Sequence, residues 1–84
     1  MGYHLVKIEK GELGKFSKVK EEFEELTDAV AQENKVLIVC ELCDLIGAIK
    51  SYGENLGFSL DDLIKMMYTT ESAFQSGERV TKKV

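Results

Sequence analysis

The stretch VLIVCELCDLIGAI, Val36 to Ile49, carries two acids, Glu41 and Asp44, and no other charge. At about 100° per residue on a helix, Leu37, Glu41, Asp44 and Ala48 share one narrow sector. Val36, Ile38, Val39, Leu42, Cys43, Leu45, Ile46 and Ile49 occupy the remaining faces. A helix that is apolar nearly all round is ordinarily buried all round. Burying two carboxylates inside such a helix is costly, and a bound cation is the usual compensation. The stretch therefore predicts a central, buried helix with one polar sector.

On the N-terminal side, Phe16, Val19, Phe23, Leu26 and Val30 recur at three- and four-residue steps. They predict an amphipathic first helix from about Lys15 to Gln32. Glu22 lies on the edge of this stripe and Glu25 a little further round, whereas Glu21 and Glu24 fall off it. Lys18 stands four residues before Glu22, which suits an ordinary helical ion pair in the weaker orientation. Gln32-Glu33-Asn34 is the connection, with Asn34 as N-cap of the second helix. A link this short makes the two helices antiparallel neighbours.

The second helix is expected to continue through Ile49 and Tyr52 to about Leu56, with Gly53 a weak point inside it and Gly57 at C′. Ser59 and Asp62 then have the spacing of a capping box, and Phe58 can staple onto Leu63. Leu60, Leu63, Ile64, Met67 and Phe74 form the apolar face of a third helix that Gly77 ends. Ahead of the first helix, Tyr3 to Ile8 partly alternates, as a short strand or extended arm does, and Gly11 and Gly14 punctuate a turn. A lone strand makes no sheet, so this arm must lie against the helices or a second subunit. The periodicity assigns His4 no role.

The fold expected is all-α: a three-helix antiparallel chain with a short N-terminal extended arm over 1–14. Residues 1–84 form a single domain, with 78–84 a flexible tail. At 84 residues, 44% hydrophobic and 31% charged, with neither proline nor tryptophan, the chain is helix-rich and near the size where one core barely suffices. Two amphipathic helices and an arm cannot cover a central helix of roughly 30 Å that is apolar on most faces. The bundle is therefore expected to complete itself by oligomerisation, as a homodimer or homotetramer. A net charge of −4 offers no basic face for nucleic acid. Val36–Ile49 is too short and too charged to span a membrane. The N-terminus lacks a signal-peptide pattern, so a cytoplasmic location is the default expectation.

Cys40 and Cys43 make a C-x-x-C inside the apolar helix. Zinc needs more ligands than two thiols, with only His4 to help. A thioredoxin-like motif needs a strand–helix setting that is lacking here. The two thiols are expected to be small, buried apolar residues.

Glu22 and Glu25 are three apart on one helix, and Glu41 and Asp44 are three apart on the next. That spacing puts each pair on one face, and antiparallel packing can bring the pairs together. Four clustered carboxylates repel unless they share protons or hold cations. Their hard oxygens suit Mg2+ or Mn2+, with positions left for phosphate oxygens and a water. A di-iron bundle would need Glu-x-x-His motifs, which one histidine at position 4 cannot supply.

Glu21-Glu22-Phe23-Glu24-Glu25 followed by Glu41-Leu42-Cys43-Asp44 resembles the EExxE…ExxD pattern of the MazG-like all-α nucleoside triphosphate pyrophosphohydrolases. That superfamily includes phosphoribosyl-ATP pyrophosphohydrolases and dimeric dUTPases. The likeness spans roughly Lys18 to Phe74, and Ala73 to Arg79 is similar to small phage-encoded members. The resemblance implies Mg2+-dependent hydrolysis of a nucleoside triphosphate to the monophosphate and pyrophosphate, by metal-bound water attacking the α-phosphorus. By motif position it makes Glu22, Glu25, Glu41 and Asp44 the metal ligands. Glu21 matches the first glutamate of the motif and is the catalytic candidate, although it lies off the stripe. Lys18 and Arg79 are the candidates for binding substrate phosphates. Two other readings stand beside the enzyme: a non-catalytic helical oligomerisation or interaction module, and a bundle in which Mg2+ serves folding alone. Pyrophosphate release from triphosphates in the presence of Mg2+ separates the three.

Overall fold

A computed structural model describes residues 4–76 of the chain. They form three helices, α1 over Phe16–Ala31, α2 over Lys35–Asn55 and α3 over Leu60–Ser76, and no strand. The all-α expectation holds. The expected end of the third helix at Gly77, the tail 78–84 and Arg79 lie outside the described residues.

Side-chain chemistry sets the helix boundaries. Asn34 Oδ1 accepts the Leu37 N–H at 3.0 Å and opens α2, satisfying a donor the helix itself leaves unpaired. Glu33 just before it has φ 56°, so the chain reverses between α1 and α2 through left-handed backbone. Gly57, at φ 99°, follows the end of α2 in a conformation that a side chain would strain. At the start of α3 the Ser59 N–H donates to Asp62 Oδ2 and the Asp62 N–H to Ser59 Oγ, both at 3.1 Å. That is the reciprocal capping box anticipated from their spacing.

α1 and α2 run antiparallel. Phe16 at the start of α1 lies 6.3 Å, ring centre to ring centre, from Tyr52 near the end of α2. Asn55 Nδ2 at that same end donates to the Gly14 carbonyl at 2.9 Å. The N-terminal segment is an extended arm laid along α1, and its backbone donors are met by α1 side chains. The Leu5 N–H lies 2.9 and 3.0 Å from the two Asp28 oxygens. The Gly11 N–H donates to Glu21 Oε1 at 2.8 Å, and the Glu12 N–H to Ser17 Oγ at 3.0 Å.

This arm changes which face of α1 is covered. Glu21, Glu22, Asp28 and Ala29 are buried, whereas Phe16, Phe23 and Val30 of the apolar stripe remain 60%, 58% and 54% exposed. The arm and α2 both dock on the acid-bearing side, and these three residues of the stripe stay more than half exposed. Ala29 and Ala48 are the buried hydrophobic residues among those described, small enough for α1 and α2 to approach closely.

The expectation that α2 is buried all round also fails within one chain. Among the described residues, the helix packed along its central stretch is α1, which covers the sector of Glu41 and Ala48. Val36, Val39, Leu42, Ile46 and Ile49 stay exposed. Cys40 and Cys43 are likewise exposed free thiols, not buried ones, because they lie on faces that no second helix reaches among the described residues. α3 touches α2 near its end, where a Cβ on the buried Gly53 would press on Leu63 Cδ1. Ile46, Ile49, Leu60, Leu63, Ile64 and Met67 line an open apolar cavity of about 420 Å3 between them.

Gly11 is where the arm fits most tightly. A Cβ there would overlap the Ser17 carbonyl and the Lys18 nitrogen of the first turn of α1. Gly11→Ala should therefore push the arm off, remove the donor to Glu21, and destabilise the fold by about 1–3 kcal/mol, the usual scale of overpacking. Thermal melting of the variant against the parent chain checks this, and an unchanged melting temperature would contradict the placement of the arm.

Candidate functional site

Glu22 and Glu25 stand one turn apart on α1, and Glu41 and Asp44 one turn apart on α2. The antiparallel seam brings them together: one carboxylate oxygen from each of the four lies within 4.8 Å of the others. Glu41 is 2% exposed and Glu22 6% exposed, so these two form the floor. Glu25 is half-buried and Asp44 is exposed, which places Asp44 at the rim. Glu22 Oε1 and Glu41 Oε1 are buried without a hydrogen-bond partner among the described residues.

The electrostatics follow from this crowding. Burial, the charge of Glu22, and hydrogen bonds with Glu21 and Glu41 push the Glu25 carboxyl up to about 8. Burial also raises Glu41, with the charges of Asp44 and Glu22 adding to it. The cluster therefore retains a proton where four separate carboxylates would have none. Lys18 supplies the nearest positive charge, its Nζ 3.0 Å from Glu21 Oε1 and 3.1 Å from Glu22 Oε2. Those two hydrogen bonds hold the Lys18 ammonium above its ordinary range.

Glu21 is not the solvent-facing residue its off-stripe position suggested. It is buried beside the cluster. Burial opposes its ionisation, but the Gly11 N–H and Lys18 outweigh that and hold its carboxyl below the ordinary range. Its position on the helix wheel concealed this because the covering element is the arm. Lys18, a candidate for phosphate binding, is already engaged by the two glutamates.

His4 and Asp28 also reach the site, and neither had been singled out from the sequence. His4 Nδ1 lies 3.3 Å from Asp28 Oδ2, and Nε2 lies 3.9 Å from Glu25 Oε2. Asp28 itself is buried. A signal for it did exist, since Asp28 extends the three-residue ladder of Glu22 and Glu25 along one face of α1. His4 had no comparable signal, as its approach depends on the path of the arm.

Orphaned buried oxygens beside a rim carboxylate fit a hard divalent cation. An acid cluster alone repels, and two unpaired buried carboxylate oxygens need a positive partner. The all-oxygen donor set suits Mg2+, Mn2+ or Ca2+ in preference to softer ions.

The profile of the phosphoribosyl-ATP pyrophosphohydrolase family matches residues 7–76, which hold all four acids and all three helices. The chain belongs to that family. The phosphoribosyl-ATP pyrophosphohydrolase family sits within the MazG-like all-α superfamily, and membership implies a pyrophosphohydrolase-type activity. No curated protein and no solved structure matches the chain significantly. Among the described residues, no helix is long and apolar enough to cross a membrane.

The raised carboxyls give stability a definite pH dependence. Glu25 holds its proton up to about 8 in the folded chain, against an ordinary value of 4.5. The folded state thus binds more protons than the unfolded state between these values, and the contribution is lost as pH rises through about 8. Glu41 acts in the same direction. Glu21 and Asp28, both lowered, act oppositely and only at more acid pH. Without divalent cations, the melting temperature should fall as pH rises from about 5 to about 8. Thermal melts in chelator across that range check it, and a rising trend would contradict the shared proton.

Proposed function

We propose that the chain hydrolyses a nucleoside triphosphate to the monophosphate and pyrophosphate, with Glu22, Glu25, Glu41 and Asp44 holding Mg2+. The observation that carries this reading is the convergence of the four carboxylates with two unpaired buried oxygens, in a chain of a pyrophosphohydrolase family. Bound Mg2+ supplies charge neutralisation for the phosphates and a more acidic water. Glu22 and Glu41, fixed in the floor, would be the buried ligands of the cation. Asp44 at the rim and half-buried Glu25 leave the outward side open to phosphate oxygens. Glu21, kept ionised by Gly11 and Lys18, positions Lys18 beside Glu22 instead of acting on substrate directly. Lys18 contributes to phosphate binding if it turns from that pair, and Arg79 remains the other candidate.

Mn2+ meets the same oxygen set and should substitute. Triphosphates of different bases, their deoxy forms and phosphoribosyl-ATP form the panel that assigns the substrate. Glu41→Gln keeps the side-chain shape and removes one negative charge from the floor. The variant should lose pyrophosphate release and weaken Mg2+ binding while folding as well as the parent chain. Mg2+ should raise the melting temperature of the parent by linkage and do much less for the variant. Equal shifts in the two proteins across a Mg2+ titration would refute the metal site.

We also propose that a second copy of the chain covers the exposed line of α2 and the apolar wall shared with α3. An arrangement that leaves Val36, Val39, Leu42, Ile46, Ile49 and Met67 in water is unfavourable for one chain. A homodimer or homotetramer is expected by light scattering. A stable 9.4 kDa species at micromolar concentration would overturn this.

A further inference from the structure

Asp28 is a buried carboxylate on the same face of α1 as the acid cluster, and its partners all come from outside that cluster. It accepts the Leu5 N–H at 2.9 and 3.0 Å, Gln32 Nε2 at 2.8 Å and His4 Nδ1 at 3.3 Å. An ionised carboxylate only accepts, so Nδ1 of the imidazole carries the hydrogen in this pair. The other ring nitrogen, Nε2, faces Glu25 Oε2 at 3.9 Å.

At that separation the two atoms are too far apart for a good hydrogen bond. Two bonds of about 2.1 Å at a tetrahedral angle set donor atoms ~3.4 Å apart, so a shared cation would need this pair to close by only about half an ångström. His4, Glu25 and Glu41 each offer a donor atom, all within 4.8 Å of one another. A metal-ligating histidine almost always gives its other N–H to a carboxylate or carbonyl, which fixes the tautomer and the ring plane. Asp28 occupies that place here, held rigid by the arm backbone and Gln32. An imidazole nitrogen also changes the preferred ion, because it suits first-row transition metals better than Mg2+.

We propose that His4, positioned by Asp28, is a nitrogen ligand that joins Glu25 and Glu41 to hold a transition-metal ion of the Zn2+ type, beside the all-oxygen position. The inference rests on the reading of Glu25 and Glu41 as cation ligands. It gives the N-terminal arm a function, since the ion ties the arm to both α1 and α2. Asp28 is a positioning residue and touches no ion itself.

The chain has one histidine, so its ring nitrogens report on this site alone in nitrogen-15 NMR of the full chain. Zn2+ added in excess over the thiols of Cys40 and Cys43 should move Nε2 to a metal-bound shift while Nδ1 stays protonated. Mg2+ should not produce that change. Affinities are then compared in a Cys40→Ser, Cys43→Ser background by calorimetry. His4→Ala should weaken Zn2+ by at least about tenfold, the scale seen when the partners of metal-bound histidines are lost. It should leave Mg2+ within about twofold, because the four carboxylates that hold it remain. Asp28→Asn should weaken Zn2+ in the same direction.

Ring nitrogens that ignore Zn2+, or a His4→Ala variant that loses Zn2+ and Mg2+ equally, would overturn the assignment. If the ring ignores Zn2+ while Mg2+ still supports pyrophosphate release, only the histidine site falls. If the ring binds Zn2+ and no triphosphate is hydrolysed, the histidine site stands and the enzymatic reading falls.

Discussion

Mutual repulsion among the carboxylates on the α1–α2 seam is the constraint on which the rest of the molecule depends. Two like charges about 4 Å apart interact by about 4 kcal/mol at an effective dielectric near 20. Glu22, Glu25, Glu41 and Asp44 crowd within such distances on the seam between α1 and α2. The chain offsets part of that repulsion with Lys18 and part with a proton retained on Glu25. Neither reaches Glu22 Oε1 or Glu41 Oε1, which have no hydrogen-bond partner among the described residues. That incomplete internal compensation is what supports the proposed cation.

The arm is the second determinant, and it works through backbone donors. Extended chain has N–H groups that must find acceptors when covered. Here Leu5 and Gly11 find them on Asp28 and Glu21, two acids of α1 that therefore do not face solvent. The same contacts draw the arm onto the polar side of α1 and leave Phe16, Phe23 and Val30 largely exposed. Both the burial of Glu21 and the outward exposure of the aromatic stripe follow from this one docking choice.

The single chain consequently has little apolar interior. Ala29 and Ala48 fill the seam, while the larger side chains of α2 and α3 line an open wall. Small residues at the seam allow the close approach that the converging acids need. The large residues on the opposite face of α2 are the surface on which the proposed second copy would pack.

Much of this was legible in residue spacing. The three helices, the Asn34 cap, the Ser59–Asp62 box and Gly57 were all readable because each depends on neighbours within four residues. The convergence of Glu22, Glu25, Glu41 and Asp44 was also readable, since two i, i+3 pairs joined by a short link have few ways to pack. Which face of α1 is buried was not, because helix periodicity counts apolar side chains and the covering element binds through acids and backbone. The exposure of Cys40 and Cys43 escaped for a related reason: hydropathy says a face prefers burial and does not say that another part of the same chain reaches it. The approach of His4 to Asp28 and Glu25 joins residues more than twenty positions apart in sequence, and only the tertiary path of the arm could decide it.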